Sequence, residues 1–169
     1  MSNIISFDRK NVSFGMSNGG TDMFINILAL SGSVLARTES EKRLTVALLE
    51  RDQAMLGRGC VGFDITELPW ERETLEADKR FLLQAIQGAR DKTGWETLDY
   101  RPNEEFAARY LDAFEDLIRR MTAGDIREDS LKDWLSEWEK DAPVLRNFPR
   151  CKRHGTFLTC FGCQVCNSL

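Results

Sequence analysis

The sequence predicts a mainly α protein, built as a bundle of about five helices. Three observations lead to this prediction. Apolar residues recur at intervals of three and four through most of the 169 residues, which is the helical period. Helix-capping residues or prolines precede these apolar runs, and glycines follow most of them. The apolar content of 42% and the charged content of 30% are those of an ordinary globular domain.

The N-terminal segment predicts a short strand or hairpin followed by a helix. Residues 4–14 alternate loosely between apolar and polar types, which is typical of an edge strand or hairpin. Ser17 to Gly20 predict a turn, and we expect Thr21 or Asp22 to cap the first helix. The apolar face of that helix would consist of Phe24, Ile27, Leu28, Ser31 and Leu35.

The second helix is predicted to begin at a capping box formed by Thr38 and Glu41. Its apolar face runs from Leu44 to Met55. Two glycines are expected to end it, Gly57 and Gly59. The glycine-rich stretch 59–65 then predicts a short buried strand or tight connection. It does not predict a phosphate-binding loop, because no Lys-Ser or Lys-Thr pair follows it.

Three further helices complete the predicted bundle. Pro69 predicts the first turn of the third helix. Asn103 precedes the fourth helix, and Gly124 is expected to end it. The fifth is predicted from about Asp129 to Lys140, with Pro143 after its end. Its apolar stripe includes Trp134 and Trp138, for which we expect packing in the core.

The charge distribution separates a body from a tail. The net charge is −4, and the segment after Pro149 contains three basic residues and no acid, so residues 1–149 carry −7. An acidic body of this kind argues against binding to nucleic acids or anionic membranes. It is compatible with a basic protein partner, which the acidic stretch 125–141 could receive, although simple solvation also explains acidity.

The compartment is predicted from the cysteines and the apolar runs. Four of the five cysteines lie together near the C-terminus, which argues against a secreted disulfide framework and favours a reducing cytoplasm. The first thirteen residues lack the apolar core of a signal peptide. The apolar run Met23–Ala36 is too short to span a bilayer and predicts a buried helix.

The last nineteen residues contain the only motif that indicates a specific chemistry. Cys151 and His154 form a C-x2-H pair, and Cys163 and Cys166 form a C-x2-C pair shortly after it. Two close pairs of thiolate and imidazole ligands are typical of a structural Zn²⁺ site. These four residues are therefore the predicted ligands, with Cys160 as an alternative to one of them.

The tail resembles the paired knuckles of small zinc-ribbon and treble-clef modules. The phrase F-G-C-Q-V-C-N looks like their second knuckle, and C-K-R-H-G looks like the first with His in place of one Cys. The tail departs from the family in its short spacing and in its extra cysteine, Cys160. The resemblance implies a structural or contact-making module that is seldom catalytic.

Other interpretations of the tail remain open at the level of sequence. Cys160, Cys163 and Cys166 form a C-x2-C-x2-C run, which with Cys151 could hold a [4Fe–4S] cluster. A redox C-x-x-C pair or an unmetallated, reduced tail are further alternatives. A catalytic zinc is disfavoured because the tail has no Asp or Glu to act as a base.

The predicted organisation is a helical domain, 1–149, with a zinc-knuckle tail, 150–169, packed on it. The predicted function is a cytoplasmic, non-enzymatic interaction module, comparable in size and charge to immunity proteins that inhibit a basic partner. The alternative is a hydrolase or transferase that uses carboxylates between Asp52 and Glu67. Against it, we expect Glu50 and Asp52 to be solvated on different faces of a helix.

Overall fold

The computed structural model describes residues 3–53, 56 and 62–168, and it confirms a mainly α protein. Its three strands are β1 (Ile4–Phe7), β2 (Val12–Gly15) and β3 (Phe63–Asp64). The described residues form seven α-helices rather than about five: α1 (Asn18–Leu35), α2 (Glu39–Leu49), α3 (Leu75–Arg90), α4 (Glu104–Arg120), α5 (Ser130–Ser136), α6 (Pro143–Asn147) and α7 (Gln164–Asn167).

The three strands form one small sheet in the order β2-β1-β3. The predicted N-terminal hairpin is confirmed, since β1 pairs antiparallel with β2 and Ile5 lies opposite Phe14. β1 also pairs in parallel with β3, which places Ile5 beside Phe63. Ile5, Phe7 and Phe63 are buried in the main core, so the sheet covers one side of the helices. The strand predicted within 59–65 is thus present at its C-terminal end, whereas residues 57–61 lie outside the described part.

The first helix, α1, is the central element and packs against α2, α3, α4 and α7. Nearly every side chain from Met23 to Ser33 is buried, which explains its almost continuous apolar run. It begins at Asn18, with the Ser17 Oγ accepting from the Gly20 N–H at 3.0 Å, so the predicted cap at Thr21 or Asp22 is wrong. The absence of a side chain at Gly20, in the first turn, leaves room for Tyr110, because a Cβ at position 20 would lie 2.8 Å from the Tyr110 hydroxyl.

α1 and α3 cross at Ser31 and Gly88. The Ser31 Oγ donates to the Ala85 carbonyl at 2.7 Å, and a Cβ on Gly88 would overlap that Oγ. A residue larger than glycine at position 88 would therefore displace the Ser31 hydroxyl from its bond to Ala85. This contact fixes the part of α1 that carries Ser33 and supports the tail.

Several helix boundaries differ from the predictions. The capping box of Thr38 and Glu41 is confirmed, but α2 ends at Leu49, well before Gly57 and Gly59, which lie outside the described residues. α4 ends at Arg120 rather than at Gly124, which lies in a 3-10 turn. The predicted fifth helix ends at Ser136, before Lys140. Pro143 begins α6, because proline suits the first turn of a helix as well as the position after a helix has ended.

Pro69 does not begin α3, which starts at Leu75. The chain from 63 to 70 is instead held by a compact 3-10 turn. Asp64 and Glu67 form a capping box around that turn, and the Trp70 indole donates to the Ile65 carbonyl at 2.9 Å. None of the described helices combines the length and the apolar character needed to cross a membrane.

Candidate metal centre

The two ligand pairs are carried by two turns that face each other. Gly155, with φ of +70°, lets the chain reverse after His154, and Gly162, with φ of +85°, does the same before Cys163. An isolated antiparallel bridge between Arg150 and Phe157 closes the first of these turns. Cys163 then caps α7, and its Sγ accepts from the Cys166 N–H at 3.4 Å. The local turns thus bring both pairs to one place.

The structure gathers Cys151, His154, Cys163 and Cys166 into one group, with a donor atom from each within 4.8 Å of the others. The His154 Nδ1 lies 3.7 Å, 3.6 Å and 3.3 Å from the sulfurs of Cys151, Cys163 and Cys166. The sulfurs of Cys151 and Cys166 are 3.7 Å apart. For bonds of 2.3 Å to sulfur and about 2.0–2.1 Å to nitrogen, a tetrahedron has edges of roughly 3.8 Å between sulfurs and about 3.5 Å between sulfur and nitrogen. The three sulfur–nitrogen distances and the Cys151–Cys166 sulfur distance therefore fit a single four-coordinate ion.

The thiols resist carrying negative charge together. Burial raises the pKa of Cys151, but the backbone N–H groups of His154 and Arg153 and the Cys163 and His154 side chains outweigh it and lower the pKa to about 6. Burial and the neighbouring sulfurs of Cys151 and Cys163 raise the pKa of Cys166 to about 12. A bound dication would remove this repulsion and favour every thiolate.

Burial divides the group into an inner and an outer half. His154 and Cys163 are buried, Cys151 is half-buried, and Cys166 is exposed. The His154 Nε2 is also buried and has no hydrogen-bond partner among the described residues, so the imidazole is held by packing and by its Nδ1 side. An ion at this place would lie just under the protein surface, with the tail wrapped around it.

Cys160, the alternative ligand, lies outside this group in the described part of the chain. The residue as a whole is exposed, but its sulfur is partly buried. This partial burial and the negative charge of Glu50 raise the pKa of the thiol. The C-x2-C-x2-C run therefore does not come together as one set of ligands. Thiolates on the separate irons of a [4Fe–4S] cluster must also stand farther apart than thiolates that share one ion.

The tail is bonded to the body on both sides of the group. Arg150 donates to the Ser33 carbonyl, and the Phe157 N–H donates to the Ser33 Oγ at 3.0 Å. The Gln164 amide donates to the carbonyl of Leu49, the last residue of α2, and to the carbonyl of Asp52, which follows that helix. A second apolar cluster packs the tail on the body and consists of Leu30, Cys163 and Val165, with Trp95, Leu98, Cys151 and Leu158 around them.

The carboxylates near the end of α2 are not solvated, contrary to the expectation from the sequence. Asp52 is 2% exposed, and the Glu50 Oε2 accepts from the Trp134 indole at 2.9 Å. Burial, opposed by the Trp134 bond and by Arg51 and reinforced by Glu137, raises the pKa of Glu50 to about 7. The chain leaves its helix after Leu49, so these carboxylates turn inward instead of following a helical face.

Glu50 borders a cavity of about 290 Å³ between the end of α2 and α5. Trp134 is buried, as predicted, and its ring contacts Trp138 edge to face at 5.8 Å. The cavity combines four carboxylates with two arginines and is lined by Glu50, Arg51, Gln53, Glu67, Arg127, Ser130, Asp133, Trp134 and Glu137. The sequence singled out the carboxylates of this region as candidates but favoured a solvated position for Glu50. It could not indicate Trp134, which is 84 residues away and is brought to Glu50 only by folding.

No protein-family model, curated protein or solved structure matches this chain at a significant level. The likeness of the tail to zinc-ribbon and treble-clef modules is confined to the paired ligands and the turns that carry them. Within the described part of the chain, the four donors in the tail and the cavity at Glu50 are two places where reactive side chains lie together.

Proposed function

We propose that residues 150–169 form a structural zinc site and that Zn²⁺ fastens the tail to the helical body. The proposal is carried by one observation, the agreement of the sulfur–sulfur and sulfur–nitrogen distances with the edges of a tetrahedron around a single ion. Three thiolates and an imidazole are soft and borderline ligands, which favour Zn²⁺ over Mg²⁺ or Ca²⁺.

Four protein ligands leave no coordination position for a substrate or an activated water, which is the arrangement of structural rather than catalytic zinc sites. Three thiolates and a neutral imidazole around Zn²⁺ carry a net charge of −1. Arg150, Lys152 and Arg153 would offset that charge from the same segment. Arg153 also pairs with Asp99 of the body at 2.7 Å, which supports docking of the loaded tail.

The test is elemental analysis of protein purified without a metal-affinity tag, together with an absorption spectrum. We expect one zinc per chain and no visible colour. Cys163→Ser and Cys166→Ser should lose the zinc. The matched control Cys160→Ser should retain it, because that thiol lies outside the group. Iron with a brown spectrum, or zinc that survives in Cys163→Ser and is lost in Cys160→Ser, would overturn the proposed ligand set.

We further propose that the protein is a non-enzymatic interaction module for a basic protein partner, of the kind that immunity proteins represent. The support is electrostatic. Residues 1–149 carry −7, and the segment around α5 presents exposed carboxylates beside the Glu50 cavity: Glu128, Asp129, Asp133, Glu137, Glu139 and Asp141.

A lysine-rich peptide titrated into ¹⁵N-labelled protein tests this proposal. Shifts should concentrate on α5 and weaken with salt. The charge reversal Asp133→Lys with Glu137→Lys should abolish them. Glu76→Lys with Glu105→Lys makes the same change in net charge at exposed positions of α3 and α4 and should leave them in place. Equal loss in both pairs would show that only the overall charge matters.

A carboxylate-dependent hydrolase or transferase is a second candidate, and the Glu50 cavity specifically favours it. A carboxyl group with a pKa of about 7, oriented by an indole and bordering a cavity, has the properties of a general acid, and Asp133 or Glu137 could act as the base. A panel of chromogenic phosphoester, ester and glycoside substrates tests it. Turnover that Glu50→Gln removes and Glu76→Gln, at an exposed position of α3, retains would favour the enzyme. No turnover by the wild type would rule it out for these classes.

A further inference from the structure

The outer half of the metal centre, Cys151 and Cys166, is the part that solvent reaches. Cys166 is exposed and Cys151 is half-buried, whereas Cys163 and His154 are buried. The two outer sulfurs lie 3.7 Å apart, one in each of the facing turns. Oxidation of cysteine follows the exposure of its sulfur. A small oxidant dissolved in water therefore meets Cys166 first, with Cys151 as the neighbouring thiol on the accessible side.

The inner sulfur, that of Cys163, is held in place at the back of the centre. It lies 3.2 Å from the hydroxyl of Thr156, which is fully buried. It also accepts from the Cys166 N–H at 3.4 Å and packs in the second apolar cluster. Cys163 is closer to Cys166 in the sequence, but its sulfur is fixed away from solvent. Cys151 is therefore the better placed partner for an oxidised Cys166.

The turns that carry the two outer cysteines have room to approach each other. A disulfide bond is about 2.05 Å long, so the sulfurs must come closer by roughly 1.7 Å. Rotation of two cysteine side chains between rotamers covers a distance of that order. The turns themselves are uncrowded, since a Cβ on Gly155 or on Gly162 would have no atom within 4 Å. Bond formation thus needs a local adjustment and no refolding of the tail.

We propose that Cys151 and Cys166 are an oxidation site for hydroperoxides, at which a disulfide bond replaces the zinc ion. This inference rests on the proposed zinc site. The Cys166 thiolate attacks one oxygen of hydrogen peroxide, the O–O bond breaks, and the departing hydroxide takes a proton and becomes water. The resulting sulfenic acid is attacked by the Cys151 thiolate, which forms the S–S bond and expels the second oxygen as water with a second proton.

The step releases the metal because it removes half of its ligands. Two thiolates, one peroxide and two protons give one disulfide and two waters, and the two electrons pass from the sulfurs to the peroxide oxygens. Only Cys163 and His154 then remain as donors, and a structural zinc site needs four. Zn²⁺ therefore leaves as the disulfide forms.

The tail should stay docked after the ion has left. Its bonds to the body involve no sulfur: the Phe157 N–H donates to the Ser33 Oγ at 3.0 Å, and the Gln164 amide donates to the carbonyls of Leu49 and Asp52. The new disulfide also joins the same two turns that the ion joined, and a covalent cross-link restricts the open chain in the same way. Oxidation would thus exchange one cross-link for another and set zinc free.

The first experiment treats zinc-loaded protein with a small molar excess of hydrogen peroxide in the presence of a zinc-sensitive dye. Free thiols are then alkylated, and the disulfide is located by tandem mass spectrometry. We expect one zinc released per chain, a bond between Cys151 and Cys166, and recovery of zinc binding after reduction with dithiothreitol. Cys160→Ser should respond like the wild type, because that thiol lies outside the group.

The second experiment tests whether the disulfide takes over from the ion. Hydrogen exchange of the Phe157 amide, which is bonded to Ser33, reports on docking of the tail. The oxidised, zinc-free protein should exchange at nearly the rate of the zinc-loaded protein. Reduced protein stripped of zinc with EDTA has neither cross-link and should exchange at least tenfold faster. Equal rates in the two zinc-free forms would overturn the exchange of cross-links.

Three results of the first experiment would overturn the oxidation site. They are retention of zinc in the presence of peroxide, a disulfide between Cys163 and Cys166, and loss of the response in Cys160→Ser. Failure of the proposed zinc site is seen separately, as a chain that carries no zinc before peroxide is added. In that case the mapped disulfide still decides whether Cys151 and Cys166 are the pair that oxidises.

Discussion

The tail and the body assemble their charged clusters in opposite ways. In the tail, four donor atoms come from sixteen consecutive residues and face one another through two glycine turns. In the body, Glu50 meets Trp134 and Asp22 meets Asp52, through pairs far apart in the sequence. Under the proposal, an ion holds the short chain of the tail, whereas the body holds its carboxylates by packing and keeps the pKa values of Asp22 and Glu50 raised.

The largest expected effect is the loss of the inner tail ligand. Cys163→Ser should lower the free energy of unfolding by about 3 kcal/mol or more, because metal affinity in small sites is folding energy. For a domain of this size that corresponds to a melting temperature roughly 6–12 °C lower. Differential scanning calorimetry measures the change, and Cys160→Ser provides the baseline. An unchanged melting temperature in Cys163→Ser would show that packing alone holds the tail.

The pH dependence of the free energy of unfolding tests whether Glu50 is buried in the body. The pKa of Glu50 is raised in the folded state, so the folded protein binds its proton more tightly than the unfolded chain does. This contribution is complete below the ordinary glutamate pKa of 4.5 and is lost as the pH rises through about 7. Its loss is worth on the order of 2–3 kcal/mol.

Glu50→Gln should remove that part of the pH dependence. Urea unfolding of the wild type and of Glu50→Gln at pH 5 and pH 8 measures it as the difference between the two proteins. Between pH 5 and pH 8, Glu50→Gln should gain free energy of unfolding relative to the wild type. Parallel pH profiles would mean that Glu50 is solvated in solution, as the sequence alone suggested.

A smaller effect is expected where the two regions meet. Gln164→Ala removes the amide that serves the carbonyls of Leu49 and Asp52 and should cost about 1–3 kcal/mol, because buried acceptors lose their donors. Zinc content should not change, since no ligand is altered. Asn167→Ala, which removes only a bond to the Phe161 carbonyl within the tail, is the matched control. Zinc loss in Gln164→Ala would mean that docking and metal binding are one event.

The smallest expected effect concerns Glu137. Its negative charge helps to raise the pKa of Glu50, so Glu137→Gln should lower that pKa slightly. An NMR pH titration of the Glu50 side chain measures the shift, with Glu128→Gln as a control that leaves the cavity lining unchanged. No movement of the Glu50 titration in Glu137→Gln would place the two carboxylates farther apart than in this structure.

The sequence was most informative where structure is local. The capping box at Thr38, the N-terminal hairpin and the four grouped donors of the tail were all predicted, because each depends on residues within one segment of at most sixteen residues. The prediction that Pro69 begins the third helix was wrong. The capping residues before it, Asp64 and Glu67, instead cap a 3-10 turn, to which the Trp70 indole also bonds.

The contacts of the carboxylates in the body were missed because their partners are distant in the sequence. Nothing near Glu50 indicates the Trp134 indole, and nothing near Asp22 indicates Asp52. One local signal was present, since Asp22 and Asn26 are polar residues one turn apart in an otherwise apolar helix. The iron–sulfur and partner hypotheses remain questions for the metal analysis and the peptide titration.

The crossing of α1 and α3 at Ser31 and Gly88 has an evolutionary consequence. Position 88 has no room for a side chain while Ser31 donates to the Ala85 carbonyl. Among natural relatives the two positions should therefore vary together, with alanine at 88 accompanied by glycine or alanine at 31. Ser33, two residues along the same helix, receives the tail. Lineages that widen this crossing should also show compensating changes at Arg150 and Phe157.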